Sequence, residues 1–482
     1  MHCGAEPLAI PPMKTLRDPG EILSDGLAAI RAQYQLPDAF PPEVIAEAEA
    51  AVERPLSDHL DMTDRHFVTL DPAASRDLDQ AFAIEIRGAD IICHYAIADV
   101  AWFVDDGGAM DREAWLRGTS QYLPDGKVSL YPQILSEGAA SLLPDVVRPA
   151  ILFSTAVAED GTATLEAVRR VKIRSRKKLA YESVSASDLP PGFEQLETRI
   201  AAAEARRGAS RSDPPEQEVV EHDGHFDLRL SPQNPAEQRN AALSLADNLA
   251  VADLLLKHRT GLFRVMPEPE GWAVKRLRNT AKALGIDWPK GREVPEMERT
   301  LDPADKDQAA LLLAIRHASP GASYAPFVEG ITPWHAAMAA TYAHATAPLR
   351  RLADRYVVMA AYAVANAKPV PPAILDAFTR LPKVMARADA LGGNIQRAVI
   401  DLAEAIVLQP RVGETFDAIV TDVDQRGPRI QLCGLPVVSR LKDAEVASGA
   451  MIKVRLDQAD PETRKIAFSI ESASDGASST AA

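Results

Sequence analysis

Residues 69–82 read Thr69-Leu70-Asp71-Pro72-Ala73-Ala74-Ser75-Arg76-Asp77-Leu78-Asp79-Gln80-Ala81-Phe82. This stretch brings three carboxylates together between two apolar, strand-like runs. If the chain from Asp71 to Asp79 were fully extended it would span about 26 Å, but Pro72 and Ser75 can turn it back. Asp77 and Asp79 are two positions apart, so on a strand both side chains point to the same face. The pattern therefore favours a folded acidic loop.

Three acids on one loop can serve as ligands for a hard divalent cation. Mg²⁺ prefers oxygen ligands and commonly binds between a few carboxylates, water molecules and the phosphate oxygens of a substrate. A phosphoryl-transfer site that holds one or two Mg²⁺ ions, with Mn²⁺ as a substitute, is therefore the first hypothesis. A solvated acidic turn is the alternative, and the acids by themselves favour neither reading.

The length and composition of the chain limit its class. Its 482 residues are too many for one ordinary core and predict two or three domains. No apolar run is long enough to span a membrane and no secretory signal is visible, so we expect a cytoplasmic protein without a membrane partner. The three cysteines lie far apart, which argues against a disulfide framework or a Cys-x-x-Cys site. Any metal should therefore be bound by oxygen.

The charge is unevenly distributed along the chain. A net charge of -15 argues by itself against nucleic acid as a partner. The run from Arg169 to Lys178, however, contains seven basic residues and no acid. In this run Lys172, Arg174 and Arg176 alternate, together with Lys178, as on one face of a strand. A solvated face is the alternative, but a channel needs positive charge only along the path of its substrate, so we predict a nucleic-acid contact at Lys172, Arg174 and Arg176.

The pattern of apolar residues divides the chain into four parts. Residues 1–60 predict a short helical segment with helix-turn-helix-like spacing, and residues 61–408 predict an α+β domain with a mixed sheet wrapped by helices. Residues 409–472 contain five short strands, which suit an OB-type barrel. Residues 473–482 are small and polar and predict a disordered tail. Within the second part, the polar stretch at about 205–224 predicts a loop.

Two helix predictions concern the second part of the chain. Pro348 predicts a helix start, which would place Arg350 and Arg351 in the first turn, where free backbone N–H groups and the helix dipole favour an anion. A guanidinium group there could bind a phosphate through two hydrogen bonds, although a surface ion pair is the alternative. A later helix, at about 373–408, is expected to kink at Gly392-Gly393.

The acidic stretch resembles the signature of the ribonuclease II family, the exoribonucleases built on the RNB catalytic domain. Further segments resemble that family in the same order: Ile97-Ala98-Asp99-Val100, Asp111 with Glu113-Ala114, Arg117-Gly118-Thr119-Ser120, Tyr122-Leu123-Pro124, Ser136-Glu137, Ser141-Leu142, Pro144 and Thr346-Ala347-Pro348-Leu349-Arg350-Arg351-Leu352-Ala353-Asp354. The resemblance covers most of residues 60–405. The C-terminal part resembles the RNA-binding barrel that closes ribonuclease II chains.

The resemblance implies a Mg²⁺-dependent 3′→5′ exoribonuclease that hydrolyses single-stranded RNA to 5′-nucleoside monophosphates. It implies that Asp71, Asp77 and Asp79 hold the metal and take part in catalysis. It also implies that Arg350 neutralises charge on the scissile phosphate, and Arg351 beside it is a candidate for RNA binding. Single-stranded RNA is the expected partner of a monomeric enzyme, and no DNA partner is expected.

The resemblance also assigns roles to two tyrosines, and the chain differs from the family pattern at one position of the site. Tyr122 corresponds to an aromatic residue that stacks on the last base, and Tyr181 to a second tyrosine near the RNA end. The family usually carries a fourth acid directly after Asp79, but this chain has Gln80. Its amide oxygen can still bind a metal, so Gln80 remains a candidate ligand. The alternative is a catalytically weakened RNB-fold RNA-binding protein; a hydrolase of small phosphoesters would leave the basic run and the barrel without a role.

Overall fold

A computed structural model gives the fold of most of the chain. It describes residues 22–471 except for 210–215, 223–224, 232–234, 303–304, 319–320, 425, 434, 443 and 448. The tail that the sequence predicts at 473–482 lies outside the described residues. No helix in the described part of the chain is both long and apolar enough to cross a membrane.

Two helices open the described chain, α1 (Ile22–Gln33) and α2 (Pro42–Val52). In α1, the buried residues Leu23, Leu27 and Ile30 recur at helical spacing and form one apolar stripe. Proline at the first position of α2 suits a helix start, because that position has no intrahelical N–H partner to lose. The described N-terminal residues are thus mainly helical, as the sequence predicts.

The central sheet closes on itself. From residue 60 to residue 180 the elements are β1 (Leu60–Asp61), β2 (Phe67–Asp71), β3 (Gln80–Arg87), β4 (Asp90–Ala98), α3 (Val100–Phe103), α4 (Ala109–Arg117), β5 (Gln121–Leu123), β6 (Gly126–Val128), β7 (Val147–Val157) and β8 (Ala163–Ala180). The strand order is β1-β8-β2-β3-β4-β7, and β7 also pairs with β8. The first part of β8 pairs antiparallel with β7, and its last part pairs parallel with β2. The predicted mixed sheet is confirmed.

Helices and short strands follow this sheet. They are α5 (Phe193–Arg207), β9 (Glu216–His222), β10 (His225–Ser231), α6 (Pro235–Lys257), β11 (Leu262–Val265), α7 (Gly271–Ala283), α8 (Val294–Glu298), α9 (Lys306–Ala318), β12 (Ser323–Pro326), β13 (Trp334–His335), β14 (Ala340–Thr341), α10 (Leu352–Ala365) and α11 (Pro372–Leu408). Helices α6 and α10 pack against β8 and against each other. The helices therefore cover the sheet, as predicted.

Two local predictions are wrong. The loop expected at about 205–224 overlaps strand β9, which pairs antiparallel with β10 along its whole length, because backbone pairing between strands does not require apolar side chains. Helix α11 runs unbroken through Gly392-Gly393, where a kink was expected. A Cβ atom at Gly392 would lie 2.8 Å from Oε1 of Gln121, so this glycine allows a close approach to β5.

The C-terminal residues form a separate antiparallel sheet. Its strands are β15 (Thr415–Asp424), β16 (Gly427–Leu432), β17 (Val438–Arg440), β18 (Met451–Asp460) and β19 (Lys465–Ile470), in the order β17-β16-β15-β18-β19. The buried residues Val420, Ile430, Val454 and Leu456 belong to its own core, to which Leu408 at the end of α11 also contributes. The predicted OB-type module is confirmed.

Asp247 on α6 gives the fold a pH-dependent element. It is fully buried, and Thr155 Oγ1 on β7 donates a hydrogen bond to its Oδ1 at 2.5 Å. Burial raises the pKa of Asp247 from 3.8 to about 8. Between these values the folded state keeps a proton that the unfolded state releases, so stability falls as the pH rises.

We expect Asp247→Asn to remove this pH dependence, because the amide does not titrate. Relative to the wild type, the free energy of unfolding of the variant should rise by up to about 1.4 kcal/mol for each pH unit between pH 4 and 8. Urea unfolding at pH 5 and pH 8 measures it. Asp376→Asn, at an exposed ion pair with Arg380 on α11, is the control. Identical pH profiles for the wild type and Asp247→Asn would contradict the prediction.

Candidate active site

The three predicted acids lie at the end of β2 and in the loop that joins it to β3. Asp71 is the last residue of β2, and Gln80 is the first of β3. Lys178 on β8 donates hydrogen bonds from Nζ to the carbonyl oxygens of Ala73, at 2.6 Å, and Ser75, at 2.5 Å. A strand neighbour thus holds the loop in its folded-back form.

Ser141 holds the other half of the same loop. It is fully buried, its Oγ donates to the carbonyl oxygen of Arg76 at 2.6 Å, and it accepts from the backbone N–H of Leu78 at 2.9 Å. The backbone N–H of Leu142 donates to the carbonyl oxygen of Leu78 at 3.0 Å. The backbone just before Asp79 is therefore fixed from a distant part of the sequence.

Asp79 joins this loop to the segment that carries Arg350. Its side chain is buried, with 4% of the residue exposed. Its Oδ1 accepts from the backbone N–H of Leu349 at 2.7 Å, and its Oδ2 lies 3.5 Å from Nε of Arg350. Burial raises the pKa of Asp79 to about 7, although Arg350 and the bond from Leu349 oppose this shift. The structure thus brings together two predicted catalytic residues that are 271 positions apart.

The segment around Arg350 is a turn, and the prediction that a helix starts at Pro348 is wrong. Helix α10 begins at Leu352, after Arg351 in an extended conformation with φ −129°. The backbone here pairs with another segment and not within a helix: Arg351 forms a β-bridge with Thr119, and the N–H of Leu352 donates to the carbonyl oxygen of Gly118 at 3.0 Å. The carboxylate of Asp354 also accepts from the backbone N–H of Ala347 at 2.8 Å. The side chain of Arg350 is 46% exposed, which leaves it able to meet a ligand.

Arg351 has a different environment from Arg350. Its guanidinium donates to both carboxylate oxygens of Asp354, at 3.0 and 2.8 Å. Since Asp354 also fixes the turn, Arg351 supports the position of its neighbour. Its contact with RNA stays a prediction.

Asp77 is paired with a lysine that the sequence prediction missed. Its Oδ2 lies 2.8 Å from Nζ of Lys127, which lies equally far from Oε1 of Glu137. Tyr122 OH donates to the same Oδ2 at 3.4 Å. Lys127 and Tyr122 are direct partners across the β5–β6 hairpin. The turn residues Pro-Asp-Gly at 124–126 signal such a hairpin and could have indicated that Lys127 stands beside Tyr122.

Asp71 has the features of a cation ligand. Its Oδ2 is buried without a hydrogen-bond partner. Burial raises its pKa to about 7, and Asp77 adds to this rise while Lys178 and Arg350 oppose it. A buried carboxylate oxygen without a partner is costly, and a cation would stabilise it. This donor set fits a hard divalent ion.

The acids do not form a closed metal site by themselves. Within the described residues, no three Asp, Glu, His or Cys side chains are grouped so that they could hold a metal ion. An ion bound here would also need oxygens from water and substrate, as Mg²⁺ commonly does. Gln80 accepts a hydrogen bond from Tyr95 through Oε1, its candidate ligand atom. Its role as a ligand therefore stays a prediction.

The β5–β6 hairpin presents Tyr122 beside the acids. Tyr122 is 55% exposed, as a stacking residue must be. The segment just before it pairs with the Arg350 turn, since Thr119 Oγ1 and the backbone N–H of Ser120 donate to the carbonyl oxygen of Arg350 at 2.7 and 3.0 Å. Tyr122 and Arg350 are thus fixed relative to each other.

Tyr181 lies directly after β8, whose last residue, Ala180, is the strand partner of Asp71. Its backbone N–H donates to the carbonyl oxygen of Asp71 at 3.2 Å, and its OH accepts from Nδ2 of Asn240 at 2.9 Å. It borders a cavity of about 300 Å³ together with Leu70 and Phe193. Tyr181 is therefore close to the acids, and Asn240 is a neighbour that the sequence prediction did not identify.

The basic face of β8 is largely occupied by the protein itself. Nζ of Lys172 lies 3.0 Å from Oδ2 of Asp61, and Arg176 donates to the carbonyl oxygen of Thr63 at 2.6 Å. Nε of Arg174 is buried without a hydrogen-bond partner. The contacts of these three residues with RNA stay predictions, whereas Lys178 of the same run reaches the acidic loop.

Helix α1 supports the hairpin. Nε and Nη2 of Arg31 donate to the two carboxylate oxygens of Asp125, both at 2.9 Å. Leu27 and Ile30 of α1 share an apolar cluster with Leu123 and Val128 of the hairpin. A helix outside the central sheet therefore positions Tyr122 and Lys127.

We expect Arg31→Ala to loosen the hairpin, because it removes a bidentate ion pair. Hydrogen exchange should become faster in residues 121–128, and the free energy of unfolding should fall by about 0.5–1 kcal/mol. The control is Arg54→Ala, which removes another ion pair with two hydrogen bonds, to Asp105, and one hydrogen bond to the carbonyl oxygen of Trp102. Unchanged exchange in the hairpin, or equal effects of both variants there, would refute this role.

Two protein-family models match the central sheet domain and the C-terminal sheet of this chain. The RNB domain matches residues 59–366, and the RNase II-type exonuclease C-terminal S1 domain matches residues 414–471. The Ribonuclease R of Thermotoga maritima is 26% identical over 456 residues, which cover 86% of this chain and 64% of that protein. The chain thus spans slightly less than two thirds of that relative.

Solved structures share the fold. The Mycoplasma genitalium RNase R in complex with ribose methylated single-stranded RNA matches with a TM-score of 0.80 and 18% identity, over 94% of this chain and 78% of that one. Yeast Ssd1, a pseudonuclease, matches with a TM-score of 0.66 and 15% identity, over 90% of this chain and 57% of that one.

The family assignment rests on the RNB domain, because its match takes in more than half of the chain. The matched region contains the acidic loop, the hairpin and the Arg350 turn. This chain belongs to the RNB-domain family and carries a C-terminal S1 domain of the RNase II type.

Proposed function

We propose that this protein is a 3′→5′ exoribonuclease that hydrolyses single-stranded RNA to 5′-nucleoside monophosphates. The observation that supports this most is the contact of Asp79 with Leu349 and Arg350, which places a buried carboxylate of the acidic loop beside a half-exposed guanidinium within an RNB domain. We expect the enzyme to act as a monomer in the cytoplasm, with no DNA or membrane partner.

The acids would hold a divalent ion. Nucleases of the RNB family generally depend on divalent metals, and Asp71, Asp77 and Asp79 offer the oxygen ligands that Mg²⁺ or Mn²⁺ accepts. When bound, the ion would supply an activated water molecule and positive charge at the scissile phosphate. The free oxygen of Asp71 supports this assignment.

Arg350 and Tyr122 would position the RNA end. A guanidinium can bind two phosphate oxygens at once and stabilise the charge that develops on them. An exposed tyrosine ring can stack on any base, which suits an enzyme that degrades RNA without sequence preference. Because the backbone of Arg350 is bonded to the segment before Tyr122, the two groups could hold the last nucleotide in one geometry.

A second candidate is an RNA-binding protein that has lost catalysis. Two observations favour it: Gln80 replaces an acid, with its amide oxygen engaged by Tyr95, and a pseudonuclease shares the fold. A fold does not by itself decide function, so activity must be measured.

The direct test is digestion of an oligoadenylate that carries a label on its 3′-terminal nucleotide. With Mg²⁺, the wild type should release labelled mononucleotide first, and EDTA should stop release because the ion is removed. Asp79→Asn should lower the rate by at least about 100-fold, since it removes a charge at the metal. A wild type that releases nothing, with EDTA and Asp79→Asn having no effect, would reject the nuclease.

The same assay distinguishes the nuclease from a non-catalytic RNA-binding protein. A pure binder should retain RNA with or without metal, and Gln80→Asp should not create activity. Turnover by the wild type would exclude it. Competition between poly(A) and a small phosphodiester would show whether the site prefers RNA.

A separate prediction concerns Arg350. Arg350→Ala should lower the single-turnover rate by about 100- to 1000-fold, because a donor to the developing charge is lost. RNA affinity, measured by filter binding, should change much less. Arg259→Ala is the matched control, since Arg259 lies in an exposed ion pair with Glu329. If Arg350→Ala reacts at the same rate as Arg259→Ala, Arg350 takes no part in catalysis.

A further inference from the structure

Lys127 stands where two carboxylates face each other. Its Nζ lies 2.8 Å from Oδ2 of Asp77 and 2.8 Å from Oε1 of Glu137, and its side chain is only 19% exposed. Two carboxylates around one positive centre is the arrangement that a bound metal ion would also have. The lysine is thus a cation built into the site by the chain itself.

Two-ion phosphoryl-transfer sites place their ions about 3.5–4 Å apart, with ligands close to both. In this chain, Asp77 Oδ2 is engaged by Lys127 and by Tyr122 OH. Gln80 carries no charge, and its Oε1 accepts from Tyr95. Oδ2 of Asp77 and Oε1 of Gln80 are therefore engaged by protein donors, whereas Oδ2 of Asp79 faces the half-exposed Arg350 at 3.5 Å and Oδ2 of Asp71 has no hydrogen-bond partner.

The charges agree with this geometry. Compared with a site of four carboxylates, Gln80 removes one negative charge, while Lys127 adds one positive charge and Glu137 adds one negative charge. The site is therefore one unit less negative, and Lys127 shares its positive charge between Asp77 and Glu137. Net repulsion among the acids, which a second ion would otherwise relieve, is therefore already reduced.

The position of Lys127 is also fixed from outside the site. It lies on β6, and the turn before it is held by the two hydrogen bonds between Arg31 and Asp125. The backbone of Lys127 is fixed, and its side chain is mostly buried between Asp77 and Glu137. The side chain therefore has few alternative positions. Lys127 can thus serve as a permanent positive centre.

We propose that Lys127 takes the place of the second divalent ion, so that this site binds a single ion through Asp71, Asp79 and the remaining oxygen of Asp77. The inference rests on the proposed nuclease function. Lys127 acts as a positioning residue, because it orients Asp77 and balances its charge.

The test counts bound ions directly. Mn²⁺ is titrated into the full chain and followed by electron paramagnetic resonance, with an oligoadenylate whose terminal bridging oxygen is replaced by a methylene group so that it cannot be cleaved. The wild type and Lys127→Arg should each bind one Mn²⁺ at this site. The double variant Lys127→Met with Gln80→Asp should bind two, because a ligand charge is restored and the competing cation is gone.

A rate measurement gives a second readout. The Mg²⁺ dependence of the wild type should follow a Hill coefficient of about 1. Lys127→Met should lower kcat by about 10- to 100-fold at low Mg²⁺, with recovery at high Mg²⁺ and little change in KM for RNA. Lys127→Arg should restore most of the rate. Glu137→Gln, which keeps Lys127 but frees it from one partner, is expected to lie between them, and circular dichroism checks that each variant is folded.

The outcomes separate this inference from the proposed function. Two Mn²⁺ ions bound to an active wild type would overturn the role of Lys127 and leave the nuclease intact. Identical ion counts and Mg²⁺ profiles for the wild type, Lys127→Met and the double variant would overturn it as well. A wild type that binds one ion but releases no nucleotide would reject the nuclease, and one that binds no ion would reject both.

Discussion

The site depends on the contacts of the Asp79 carboxylate, which link two distant segments of the chain. The carboxylate connects the end of the acidic loop to the backbone N–H of Leu349 and to Arg350, and these groups come from opposite ends of the RNB domain. Because the carboxylate is buried, its hydrogen bond is costly to break and the geometry is well defined. The other contacts of the site, from Ser141 and from the Thr119 segment, hold in place the two segments that Asp79 brings together.

Concentrating acids in one place requires compensation, and the chain supplies it with cations of different roles. Lys178 fixes the loop backbone, Lys127 lies between Asp77 and Glu137, and Arg350 faces Asp79 while remaining half-exposed. Two of the three cations are thus committed to protein partners. In the proposed function, Arg350 exchanges its partner for a phosphate.

Support for the site extends beyond the RNB domain. Helix α1 fixes the hairpin through Arg31 and Asp125, and it packs against the long helix α11, whose last residues enter the core of the S1 domain. Gly392 on α11 allows Gln121 to approach closely. The N-terminal helix and the C-terminal domain are therefore mechanically connected to the tyrosine that would meet RNA.

The sequence by itself determined the α+β class, the C-terminal barrel and the acidic loop, because apolar periodicity and turn residues are local properties. It also indicated Arg350 and Tyr122, but only through their ordered resemblance to a family. Tertiary structure decided the partners: Lys127 for Asp77, Leu349 for Asp79, and Asp61 for Lys172. It also decided that the Arg350 segment is a turn, since Arg351 and Leu352 pair with the Thr119 segment, and that the 392–393 glycines lie in a continuous helix. The physical reason is that each of these choices depends on which distant group satisfies a buried charge or fills a gap, and local preferences along the chain carry no information about that group.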